Sequence, residues 1–251
     1  HYSNVAHAKD ILATLFMHTG SPIVVEKNGS LVSALDTTLN YDLSFPLQFY
    51  VDFANPLKNN YSWNKSFSNS IDAFSREDLA FYFGFASELA LLANKNPNQN
   101  FSVASIPQIK DAKFKLTGAQ VTGVAVSSFS KNFNTAFIAA SNMSTGDFAQ
   151  KLALALGVAP ARRDLLAQKL DDAYSPTFYN SALFAKSWLD PSSAGTNDVF
   201  RGMIDGALSN NLSAGDLIKD ANDRLNLLLL NLLLILFQLC FLILNLILIK
   251  F

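Results

Sequence analysis

Flat aromatic faces next to planar polar groups suit one kind of chemistry: holding a ring that is apolar on its faces and rich in hydroxyls at its edge. Several stretches of this chain offer that pairing. In Phe81–Phe85 strand alternation puts Phe81, Phe83 and Phe85 on one face and Tyr82 and Gly84 on the other. Gly84 has no side chain, so a ligand or another backbone can come close; the alternative is that these aromatics are core, in a chain with 21 Phe. Ser87 follows at an expected helix start, where free N–H groups favour acceptor oxygens. Trp63-Asn64 lies in a polar loop, where the indole either stacks on a ring or pins the loop to its own domain. Arg162 and Arg163 follow Gly157 and Pro160. A guanidinium there either donates a bidentate hydrogen bond to a ligand or makes a salt bridge.

Covalent catalysis has less to work with. The three histidines, His1, His7 and His18, fall in the first 18 residues and lack a paired metal-ligand spacing. No nucleophile elbow, phosphate-binding P-loop or dinucleotide glycine fingerprint occurs. Asp78 and Glu88 read as solvated charges. The single cysteine, Cys240, gives neither an intrachain disulfide nor a cysteine-based zinc site. The expectation is therefore no enzyme, no cofactor and no metal. A net charge of -1 and a pI near 6.3 argue against nucleic acid, which needs a basic face.

The elements that must position these residues alternate. Residues 7–18 carry one apolar helical face, ended at Gly20-Ser-Pro22. Residues 23–35 turn at Asn28-Gly29. Helix is expected after Pro46, across 88–94, 132–140 and 146–156, and in three further stretches, 162–171, 176–188 and 197–209. Residues 55–70 read as a polar loop. Strands are expected at 81–85, 101–106 and 121–127. Ser213-Ala-Gly-Asp216 reads as a capping box for a last helix. The alternation predicts an α/β architecture.

The stretches FYVDFANP (49–56), YSWNKSFSNSIDAF (61–74), LAFYFGFASEL (79–89), NPNQNFSVASIPQ (96–108), GVAVSSFSKN (123–132), GVAPARRDLL (157–166), SALFAKSWLDP (181–191) and LSAGDLIKDANDRLNLLL (212–229) resemble extracellular solute-binding proteins of ABC-type sugar uptake systems. The likeness is to the C-terminal portion of the maltose/oligosaccharide-binding-like family. It implies a periplasmic-binding-protein-like fold of two α/β lobes with carbohydrate captured non-covalently in the cleft between them. It also implies delivery to ABC permease subunits, an extracytoplasmic location at the cell surface or in the periplasm, and about two hundred further residues before the His1 region. On this resemblance Phe85, Ser87 and Trp188 join Trp63, Tyr82 and Arg162 as ligand-binding candidates. A surface-anchored interaction or adhesion protein with the same fold and no transport role is the alternative.

Residues 225–249 contain no charge, long enough as a helix to cross a bilayer core of about 30 Å. The expected organisation is residues 1–224 as a binding domain and 225–251 as an apolar membrane-spanning helix, or else a spurious tail outside the family pattern. Asn231, Gln238 and Asn245 recur every seven residues, one stripe that could pair with another helix in a membrane.

Overall fold

The computed structural model describes residues 2–35, 42–112, 114–168, 170–209 and 212–248, with side chains as far as Leu234 in the last helix. The chain divides into two compact units. One is built from His1–Ser68 with Trp188–Phe251 and the other from Asn69–Ser187.

In the first unit α1 (Ala8–His18) buries Leu12, Ala13 and Phe16, at the three- and four-residue spacing of one helical face. A hairpin follows, β1 (Val24–Lys27) and β2 (Ser30–Ser33), antiparallel with Val24 opposite Ser33. Asn28 and Gly29 both take positive φ, 53° and 77°, as the tight two-residue turn requires. Next comes α2 (Ser44–Asp52), with Leu47 and Val51 inward. After the excursion through the second unit the chain returns as α9 (Ser193–Ser209) and α10 (Ala214–Leu248). Phe16 meets Phe200 of α9 with ring centroids 6.4 Å apart. Ile218, Ala221, Leu225 and Leu229 of α10 complete the core. The Ser33 N–H donates to Asn226 Oδ1 at 2.8 Å and fastens the hairpin to α10. Two glycines of α9 allow close helix contact. A Cβ on Gly206 would stand 2.4 Å from Leu217 Cδ2, and one on Gly195 2.6 Å from Leu228 Cδ2.

The start of α10 is capped as its sequence predicts: Ser213 Oγ accepts from the Asp216 N–H at 3.1 Å. Among the described residues no helix is long and apolar enough to cross a membrane; most of the span expected over residues 225–249, from residue 235 on, has its side chains outside them. Leu225 and Leu229, at the head of the apolar run, are part of the first unit's core. The run thus begins inside the fold rather than beyond it. The side chains of Gln238, Cys240 and Asn245, and all of Ile249, lie outside the described residues.

The second unit holds α3 (Ser70–Ser75), a 3₁₀ turn (Ala86–Glu88), α4 (Leu89–Lys95), β3 (Thr117–Gly118), α5 (Phe133–Ser144), α6 (Gly146–Leu156), α7 (Arg163–Leu166), α8 (Ser175–Ala182) and β4 (Ala185–Lys186). Among the described residues its sheet is one parallel pair, Thr117–Gly118 beside Ala185–Lys186. Residues 81–85, 101–106 and 121–127, expected as strands, are not strands here. The Gln108 side chain meets the backbone of Leu116 instead, donating to its carbonyl and accepting from its N–H, both at 2.9 Å. The helices expected over 162–171 and 176–188 shorten to α7 and α8, the latter giving way to β4. Gly157 closes α6 in the left-handed region, φ 64°, as its position predicts.

Candidate functional site

In the second unit the stretch 81–88 is organised by Glu88. Its carboxylate accepts from the Phe85 N–H at 2.8 Å and from the Tyr82 hydroxyl at 3.2 Å on both oxygens. Burial, followed by the charge of Glu88 and the hydrogen bond to it, raises the Tyr82 phenol above the usual tyrosine range. The Tyr82 ring stacks on Phe74, centroids 5.5 Å apart. Phe74 meets Phe101 edge-on at 5.6 Å, and Phe101 meets Tyr174 at 5.7 Å. Gly84 sits under this closure: a Cβ there would come 2.5 Å from both Glu88 Oε2 and Tyr82 Cε1. The space left by the missing side chain is thus taken by Tyr82 and Glu88.

The alternation read from the sequence survives locally without a strand. Tyr82 turns toward Phe74, whereas Phe81 and Phe83 are 83% and 46% exposed. Phe85 is half-buried, and Ser87 is exposed within the 3₁₀ turn. Tyr82, Phe85 and Glu88 are therefore brought together, with two exposed phenyl rings beside them in the chain.

Arg162 lies in the same unit, immediately before α7. Its Nε donates to Asp164 Oδ1 at 2.9 Å and its Nη2 to Asp164 Oδ2 at 2.6 Å. This bidentate bond holds the Asp164 carboxyl below its ordinary range. The fork expected to meet a ligand is occupied by a neighbour two residues away.

The two tryptophans belong to the first unit. Trp63 stacks on Phe67 with centroids 4.8 Å apart, and its N–H donates to the Phe53 carbonyl at 3.1 Å. Its indole Nε1 is buried with no partner among the described residues. The loop is fastened by Asn4, whose Nδ2 donates to the carbonyls of Asn64 at 2.7 Å and Phe67 at 3.0 Å. Trp188 stacks on Phe200, centroids 6.1 Å apart, and the Lys9 ammonium stands 5.8 Å from its ring centre. Lys9 donates to Asp190 Oδ2 at 2.6 Å and to Thr196 Oγ1 at 3.3 Å. Asp190 Oδ1 accepts from Thr196 Oγ1 at 2.8 Å and from the Ser192 N–H at 3.1 Å. Trp188 precedes α9 in a loop after β4; it does not end a helix.

Sequence reasoning missed the residues that hold the candidates: Asn4, Lys9, Phe67, Glu88 and Asp164. Three of these had a local signal: Glu88, read from the sequence as a solvated charge, follows Phe85 by three positions. Asp164 follows Arg162 by two positions, and Phe67 follows Trp63 by four. Asn4 and Lys9 had none, because their partners lie about 60 and 181 positions away. Among the described residues no group of three His, Cys, Asp or Glu side chains could hold a metal ion.

No protein-family model matches the chain, and no curated protein matches it by sequence. Solved structures do match. An ABC transporter solute-binding protein from Thermotoga lettingae bound with α-D-tagatose is 18% identical, with a TM-score of 0.57 over 89% of this chain. A cyclo/maltodextrin-binding protein complexed with maltotetraose is 15% identical, with a TM-score of 0.70 over 87% of this chain. The chain spans 57% of the length of each. At these identities the likeness is one of fold, and the fold is periplasmic-binding-protein-like, helix-rich and partial.

Proposed function

We propose that the chain binds carbohydrate non-covalently, outside the cytoplasm, as the solute-binding component of an ABC-type uptake system. The observation that carries this reading is the fold shared with two sugar-bound solute-binding proteins, most of all the TM-score of 0.70 to the maltodextrin-binding one. The exposed rings of Phe81 and Phe83 support it, since a phenyl face covers the apolar side of a sugar ring. Ser87 is exposed close by and can donate to a sugar oxygen or accept from a hydroxyl. Binding of this kind needs no covalent step. Of the six candidates, Phe85 and Ser87 remain the best placed. Arg162 would serve only after exchanging Asp164 for ligand, and Tyr82 only after leaving Glu88. Trp63 keeps one face on Phe67 and could offer the other, whereas Trp188, between Phe200 and the Lys9 ammonium, would serve only after Lys9 moves.

A thermal-shift series with maltotetraose, maltose and tagatose, with amino acids and short peptides as controls, tests the proposal. Ligand at 100 times its dissociation constant should stabilise the folded chain by about 2.7 kcal/mol. Stabilisation by at least one saccharide, lost in Phe83→Ala, is expected. No response to any saccharide would sink the carbohydrate reading.

A further inference from the structure

The one asparagine-glycine step of the chain, Asn28-Gly29, forms the turn between β1 and β2. Its two residues carry the parts of a cyclisation. The Asn28 side chain offers an amide carbon, Cγ, and the next main-chain nitrogen is that of Gly29. That nitrogen is approachable, since glycine has no side chain and a Cβ there would meet no atom within 4 Å. Among the described residues neither the Asn28 side-chain amide nor the Gly29 N–H has a hydrogen-bond partner. The ladder closes instead between Lys27 and Ser30, on either side of the turn. The reacting atoms are covalent neighbours, so no other part of the chain is needed to bring them together. Other asparagines that precede a small residue are held differently. Asn69 Oδ1 accepts from the Ile71 N–H at 2.9 Å as the cap of α3. Asn180 lies inside α8, where main-chain N–H groups bond along the helix.

We propose that Asn28 is a self-modifying site, which loses its side-chain amide by cyclising with the Gly29 nitrogen. Hydroxide removes the Gly29 amide proton, and the nitrogen bonds to Cγ. The Cγ–Nδ2 bond then breaks, and ammonia leaves with a proton from water. The resulting five-membered imide adds one water. Cleavage of the new N–Cγ bond leaves an aspartate in the ordinary chain. Cleavage between the same nitrogen and the Asn28 carbonyl carbon leaves an isoaspartate, whose main chain runs through Cγ. Asparagine and water thus become the acid and ammonia, with no oxidant or reductant. The fold sets the pace. Asn28 and Gly29 sit in the left-handed region, φ 53° and 77°, and the nitrogen reaches Cγ only when the main chain at Asn28 leaves that geometry. The turn must therefore open first. Opening costs little, because each strand has four residues and a lone two-stranded hairpin is marginally stable. The products differ in effect. Asp-Gly makes the same turn, so the aspartate leaves the hairpin intact. Isoaspartate lengthens the main chain between Lys27 and Gly29 and spoils the pairing of Lys27 with Ser30. The base of the hairpin stays, where the Ala34 N–H donates to the Ile23 carbonyl at 2.9 Å and Ser33 bonds to Asn226. The modification is independent of what the chain binds.

Ageing the whole folded chain in mildly alkaline buffer, with digestion and mass spectrometry at intervals, tests this. The peptide holding Asn28 should gain one mass unit several-fold sooner than those holding Asn69 or Asn180, as two products that separate by chromatography. A matched sample in mildly acidic buffer should lag, because hydroxide starts the step. The chain unfolded in guanidinium sets the upper rate, and the folded chain should reach the same products more slowly. Asn28→Gln, which would have to close a six-membered ring, should lose the signal. Position 28 unchanged in the folded chain after the unfolded chain has converted overturns the proposal. So does conversion at Asn69 or Asn180 that keeps pace with it.

Discussion

Lys9 is an ammonium with 10% of its side chain exposed, placed where one group can reach three others. It bonds to Asp190 and Thr196 and stands over the face of Trp188. Removing a charge from such a cluster costs more than the pair itself is worth, because Asp190 would be left partly buried without its cation. Asp190 is 27% exposed and keeps its bonds from Thr196 and Ser192, which limits the loss. Lys9→Met preserves the apolar stem and removes the ammonium. It should lower stability by about 1–3 kcal/mol in urea unfolding, and Trp188 fluorescence should change in the folded state. An unaltered midpoint would show that the cluster contributes nothing net. Little of it is legible in the sequence. Trp188, Asp190 and Thr196 share a short stretch, but nothing local says that residue 9 completes them. The Arg162–Asp164 bond, by contrast, could be read directly from the chain.

At the scale of elements, local signals worked where the element is satisfied locally. The Asn28-Gly29 hairpin, the helix before Gly20, the Ser213 cap and the Gly157 stop all follow from residues within a few positions. Strands failed for a physical reason. A strand's backbone groups are completed only by a neighbour. Residues 81–85, 101–106 and 121–127 have strand composition without a ladder, and in the second of them the Ile106 carbonyl accepts from the Gln108 side chain at 3.0 Å instead. The two faces read at 81–85 still differ, with Tyr82 packed on Phe74 and Phe81 and Phe83 exposed. Helix α9 shows the opposite case. Its glycines look like poor helix formers, yet Gly206 lets α10 approach. Gly206→Leu should push Leu217 out of a place where it is 6% exposed, destabilising the first unit by about 1–3 kcal/mol. Thermal unfolding followed by circular dichroism measures this, and a variant as stable as the parent would show that α9 and α10 can part without cost.

For the whole molecule, the uneven burial predicts uneven protection. Opening free energy follows buried contacts, so the amides of α1, α9 and the first turns of α10 should exchange slowest. Those of α5 and α6 should exchange orders of magnitude faster. Native-state hydrogen exchange would show this, and equal protection in both units would contradict the burial pattern. The periplasmic-binding-protein-like fold was legible in the order of many weak stretches rather than in any one motif. Composition alone did not show that the head of the apolar run packs in the first unit, where Leu225 and Leu229 are buried.

The bond from Lys9 to Asp190 also fixes an order of events. It joins residues 181 positions apart, and closing a flexible loop of that length costs about 5 kcal/mol in chain entropy. During synthesis α1 leaves the ribosome before the second unit, and its partner α9 only after it. While the second unit is made, α1 can pack on α2 but not yet on α9. The first unit, although the better packed, is therefore the later to fold. Until α9 arrives Phe16 lacks its partner Phe200, and such uncompleted apolar surface is what makes a nascent chain prone to aggregate.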